Sequence, residues 1–127
     1  MYKLGARSKQ RLKGVHEDLI KVVERAIEIT KVDFGVTEGL RTTETQRKYV
    51  ETGKSQTMES KHLTGDAVDL VAYIDGQVSW ELNLYDNLAD AMKQAAIEKN
   101  VGRQQIKRLI ACELASRRSW GLRLDFG

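Results

Sequence analysis

Proline is absent from this 127-residue chain, cysteine occurs once and histidine twice. With no proline, no repeat and no low-complexity stretch there is no candidate linker. One domain is expected, residues 1–127, burying roughly two-thirds of its unfolded surface around a modest core. The lone Cys112 excludes an internal disulfide and a thiolate zinc framework, and beside Ile110, Ala111 and Leu114 it reads as a packed core thiol. No apolar run reaches the length of a membrane span, and the N-terminus lacks a charged-then-apolar signal segment. The expectation is therefore a protein made and kept in the cytoplasm, with no membrane anchor and no second binding module. Aromatic residues make up only 6% of the chain and the net charge is only +3. Basic residues are not interleaved with stacking rings, which argues against a nucleic-acid partner. The charge is uneven: Arg103, Lys107, Arg108, Arg117, Arg118 and Arg123 face only Glu113 and Asp125 in the last quarter. That basic segment reads either as a face attracted to anionic surfaces or as a solvated helix face.

The apolar pattern supplies the elements. Leu12, Val15, Leu19, Val22, Val23, Ala26 and Ile27 recur at three-to-four spacing and predict one amphipathic helix from about Ser8 to Thr30. His16, next to Glu17 and Asp18, reads as a surface residue on it. Asp33 to Leu40 reads as a short strand. Thr42 and Thr43 open a helix carrying Glu44, Gln46 and Arg47 that ends at Gly53. The polar stretch from Lys54 to Ser60 is a natural loop over a site. Trp80 to Asn83 lead into a helix with Leu84, Leu88, Ala91, Met92, Ala95 and Ala96 on one face, closing near Asn100 to Gly102. A fourth helix is predicted from Gln104 to Ser119, after which Leu122, Leu124 and Phe126 alternate like a strand.

The chemistry concentrates in Ser60-Lys61-His62-Leu63-Thr64-Gly65-Asp66-Ala67-Val68-Asp69. The run Ala67 to Tyr73 has the length and composition of a buried strand, yet Asp69 lies inside it. An ionised carboxylate among Val and Leu costs roughly 2 kcal/mol or more unless a cation or a set of donors meets it. His62 is the nearest soft ligand, and Gly65 gives the backbone freedom for the ring and the carboxylate to converge. Their seven-residue separation is not that of one helical face, so the pair belongs to a turn followed by a strand. The plainer alternative is an exposed histidine and an aspartate capping a turn.

The filled pattern S-x-H-x-x-G-x-A-x-D resembles the signature of the M15 zinc peptidases, which include D-Ala-D-Ala carboxypeptidases and phage L-alanyl-D-glutamate endopeptidases. Asp33-Phe34-Gly35-Val36-Thr37-Glu38-Gly39-Leu40-Arg41-Thr42 is similar to their first strand and its G-x-R-T end. Gln46 falls where the next helix usually carries a glutamine, and Ala72 to Trp80 is similar to the hairpin that follows the motif. The resemblance covers residues 1–102 and leaves 103–127 as a divergent tail. It implies an α+β fold, a small antiparallel sheet packed against helices, with the final strand in doubt. It also implies a phage endolysin-like hydrolase of the peptidoglycan stem peptide, Zn2+ on His62 and Asp69, and Arg41, Ser60 and Gln46 near substrate or oxyanion. Arg41 reads equally as a partner of Glu38 or Glu44. A monomer acting on the wall, after a separate pore-forming protein releases it from the host cytoplasm, completes the expectation.

The tail departs from the family. A late histidine should supply the third ligand and a nearby glutamate the general base, but the two histidines are His16 and His62. Glu113 and Asp125 are the weak candidates for completing the site. The competing expectation is a truncated or frame-shifted relic that at most binds peptidoglycan.

Overall fold

The computed structural model describes residues 1–53, 58 and 62–101 in full, and residue 61 and the strands at 104–109 and 121–126 by their backbone. The order of elements is α1 (Ala6–Arg11), α2 (Glu17–Ile29), β1 (Asp33–Glu38), α3 (Thr43–Glu51), a 3-10 turn (Lys61–Thr64), β2 (Ala67–Ile74), β3 (Gln77–Ser79), α4 (Leu82–Glu98), β4 (Gln104–Leu109) and β5 (Gly121–Phe126). The strands form one antiparallel sheet in the order β1-β2-β5-β4, with β3 paired to β2. The α+β architecture expected from the sequence is therefore present, and the alternating segment near the C-terminus does form a strand, paired with β2.

Alternation along the strands divides the sheet into two faces. Phe34, Val36, Val68, Leu70 and Ala72 join the core with Leu19, Val22, Val23 and Ala26 of α2 and Leu84, Leu88, Ala91, Met92 and Ala95 of α4. Fully buried side chains such as Leu19, Leu70 and Leu88 each contribute about 1.5–3 kcal/mol. Tyr85, also fully buried, ties α4 to the sheet: its hydroxyl donates to the Ser79 carbonyl at 2.8 Å and accepts from the Ala72 amide at 3.2 Å. The β2–β3 hairpin turns through Asp75 and Gly76, both with positive φ, as a two-residue hairpin turn requires.

Two expectations are corrected. The helix expected from Ser8 to Thr30 is two helices, because Gly14 takes φ +85° and the chain restarts at His16, whose Nδ1 accepts from the Asp18 amide at the head of α2. The apolar set stays buried across the break, which is why its periodicity reads as continuous. The helix expected from Gln104 to Ser119 begins instead as β4, where pairing with β5 overrides local helical spacing. Cys112 and Glu113 lie outside the described residues.

Helix α1 covers the open edge of β1. The Ser8 hydroxyl accepts from the Val36 amide at 3.0 Å, and the Arg11 guanidinium donates to the Val36 carbonyl at 2.9 Å. Polar groups that would otherwise template a foreign strand are thereby satisfied.

Candidate metal centre

The site is built where β1 ends beside β2. Pairing runs regularly from Asp33 opposite Tyr73 to Val36 opposite Leu70, then shifts so that Glu38 lies opposite Asp69. Thr37 is the extra residue of a β-bulge, and its hydroxyl donates to the Asp69 carbonyl at 3.2 Å. Strict alternation would put Glu38 on the core face with Phe34 and Val36. The bulge turns it to the face carrying Asp69, one of the recognised uses of this irregularity.

His62 arrives from the 3-10 turn. Gly65 closes that turn at φ +76° and its carbonyl accepts from the His16 amide at 2.9 Å. A Cβ on Gly65 would collide with the Gly14 carbonyl, so only glycine fits both the conformation and the space. The imidazole is fully buried. Its Nδ1 lies 2.8 Å from the Gly39 carbonyl, and the Arg41 amide returns a bond to the His62 carbonyl at 2.8 Å. A carbonyl only accepts, so Nδ1 carries the hydrogen and the Nε2 lone pair of the neutral ring points the other way. It points at Asp69 Oδ2, 3.1 Å distant. Two acceptors at that distance require a proton or a metal ion to be shared between them.

Gly39 is as constrained as Gly65. A Cβ there would strike the backbone carbonyl of Arg11 and approach the Val15 side chain to 2.8 Å. Gly39→Ala is expected to lower stability by about 1–3 kcal/mol or more, because backbone atoms yield poorly to overpacking. It should also displace the carbonyl that orients His62. Urea denaturation together with zinc affinity measures both effects.

Glu38, His62 and Asp69 place one ligand atom each within 4.8 Å of one another. This group can hold a metal ion. Ligand distances of about 2.0–2.2 Å to a tetrahedral zinc put neighbouring donors a little over 3 Å apart, which matches the separation of His62 from Asp69. The backbone carbonyl on Nδ1 is the kind of outer partner that fixes the tautomer of a ligating histidine. The donor set fits the cofactor that the motif implies.

Arg41, 9% exposed, does form the ion pair with Glu38 that the sequence allowed. Its Nε donates to Glu38 Oε2 at 3.0 Å and its Nη2 to Oε1. Its Nη1 donates to Oε1 of the fully buried Gln46 at 2.6 Å. The guanidinium also lies 4.7 Å above the centre of the Tyr49 ring. The Tyr49 hydroxyl is 3.4 Å from Glu38 Oε2, and burial, then the Glu38 charge, push its pKa above the usual tyrosine range. Helix α3 supplies Gln46 and Tyr49 because Thr42 caps it, accepting from the Thr45 amide at 3.1 Å.

His62 and Asp69 are thus brought together, and Arg41 and Gln46 stand directly behind Glu38. Glu38 is the site residue that sequence reasoning passed over, naming it only as an ion-pair partner. Ser60 and Glu113 lie outside the described residues, as does the loop from Lys54 to Ser60 apart from the exposed Met58. Asp125 is placed by its backbone alone, opposite Ala67 on β2. His16 is exposed, caps α2 and is not a member of the cluster.

Comparison with known proteins gives the family of the chain. The chain is 34% identical over 104 residues to the L-alanyl-D-glutamate peptidase of Escherichia phage T5, spanning 79% of this chain and 76% of that protein. Its fold matches the crystal structure of the Serratia marcescens L-Ala D-Glu endopeptidase ChiX with a TM-score of 0.76 and 40% identity, over 96% of this chain and 87% of that one. Residues 1–105 match the family model described as phage L-alanyl-D-glutamate peptidase, and the chain belongs to that family.

Proposed function

We propose that this chain hydrolyses the bond between L-Ala and D-Glu in the stem peptide of peptidoglycan, as a zinc-dependent endolysin-type peptidase. The observation that carries the reading is His62 Nε2 facing Asp69 Oδ2 at 3.1 Å, with Glu38 turned to the same face, in a chain of this family. His62 and Asp69 hold the ion, and Glu38 is the third protein ligand in place of the late histidine that the motif leads one to expect. When bound, zinc supplies a Lewis acid for the scissile carbonyl and a water whose pKa falls to about 7.

The chain's own residues do the rest. The Gly39 carbonyl keeps His62 in the tautomer that offers Nε2. Arg41, itself held by Gln46, fixes the Glu38 carboxylate and offsets its charge, so that two carboxylates can share one small site. Residues 1–127 act in this reading as one peptidase-like domain, of which 103–127 depart from the family pattern. The chain works as a monomer on the cell wall, reaching it from the host cytoplasm through a separate pore-forming protein. Among the described residues no helix is long and apolar enough to cross a membrane.

The test is mass analysis of a soluble stem peptide incubated with the purified chain. A single cut after L-Ala is expected, abolished by a chelator and restored by added zinc. Cleavage that is indifferent to chelation, or no cleavage with zinc present, contradicts the proposal.

A further inference from the structure

Hydrolysis of an amide places negative charge on the carbonyl oxygen as the attacking water's oxygen bonds to carbon and the C=O pair moves outward. Preorganised donors aimed at that oxygen are commonly the largest single contribution to catalysis. Arg41, the residue the sequence offers for this task, has three donors committed to its neighbours. Nε and Nη2 face Glu38, Nη1 faces Gln46, and the guanidinium is buried behind the carboxylate. The Thr37 hydroxyl, on the same strand as Glu38, donates to the Asp69 carbonyl at 3.2 Å.

We infer that the Tyr49 phenol is a further catalytic residue of this peptidase, donating a hydrogen bond to the scissile carbonyl oxygen as it becomes an oxyanion. The inference rests on the function proposed above and deepens it.

Three observations support the role. The Tyr49 O–H lies 3.4 Å from Glu38 Oε2, far longer than the usual 2.7–2.8 Å for such a pair, so this bond is readily exchanged for a stronger acceptor. Its position beside Glu38 puts it at the edge of the metal centre. Its ring is held in place by the Arg41 guanidinium stacked on one face, so the donor is oriented before substrate arrives. No proton leaves Tyr49 in this step; it supplies a hydrogen bond only.

Tyr49→Phe removes the hydroxyl and keeps the ring. On a soluble stem peptide, kcat is expected to fall about 100-fold with KM within about twofold of the parent, in line with the loss of one oxyanion donor. Zinc content and thermal midpoint should match the parent. Affinity for a phosphinate analogue of the tetrahedral state should fall with kcat, while affinity for the cleaved peptide should not. A kcat within about threefold of the parent overturns the inference, as does a variant that loses zinc or unfolds. A parent chain that binds zinc but cleaves nothing overturns both this role and the function on which it rests.

Discussion

Replacing His62 with alanine should abolish cleavage of the stem peptide, lowering kcat/KM by more than about 1000-fold. Loss of a single oxyanion donor already costs about 100- to 1000-fold, and loss of the ion removes both the polarising charge and the activated water. The substitution also empties a fully buried position and frees the Gly39 carbonyl from its partner. A drop in stability will accompany the drop in activity, so the assay must be read beside a melting curve. His62→Gln separates the two effects, since it retains bulk and a donor for Gly39. Activity that survives either change would dismiss the imidazole as a ligand.

The second large effect concerns Glu38. Glu38→Ala removes the carboxylate that both Nε and Nη2 of Arg41 engage, and the Arg41 side chain is only 7% exposed. Breaking a buried pair from one side leaves the other charge uncompensated, at a cost of about 3–5 kcal/mol. Glu38→Gln keeps the volume and one acceptor, so its stability loss should be clearly smaller. Both variants should weaken zinc binding by at least about 10- to 100-fold, the range seen when a mere outer partner of a metal ligand is lost. Chemical denaturation and zinc titration of the pair of variants separate the charge effect from the ligand effect. A Glu38→Gln chain that binds zinc as tightly as its parent would remove Glu38 from the coordination set.

What the sequence discloses about this site, and what it conceals, follows from the geometry. His62 and Asp69 are legible because a carboxylate inside an apolar strand requires a counter-charge, and Gly65 marks the turn that delivers one. Helix α4 and strand β5 are legible from simple periods of three-to-four and two, and the β2–β3 hairpin from the resemblance of Ala72 to Trp80 to the hairpin that follows the motif. Glu38 is concealed by the bulge at Thr37: period-two counting sends it to the core face, and only the pairing with β2 reveals the extra residue. Gly14 is concealed differently, since the apolar positions on either side of it stay in phase with one helix although its backbone leaves the helical region. Strand β4 is misread because Ile106 and Leu109 keep a helical interval while their backbone partner lies in β5, beyond the reach of local pattern. Tyr49 has no sequence signal as a site residue; its position is set by the cap at Thr42 and the stacking on Arg41.

In the proposed coordination set a carboxylate stands in the place of the expected late histidine, with a chemical consequence. Two carboxylates and a neutral imidazole carry more negative charge than two imidazoles and one carboxylate. Arg41 offsets that difference at Glu38, which explains why a guanidinium is buried at the end of β1 instead of projecting into solvent.

The most direct test of the central claim is the zinc stoichiometry of the full chain after loading and desalting, measured by elemental analysis for the parent and for His62→Ala and Asp69→Ala. Shared coordination predicts about one zinc per parent chain and essentially none in either variant. A parent chain that cleaves the stem peptide while holding no metal, or variants that keep a full equivalent of zinc, would contradict it.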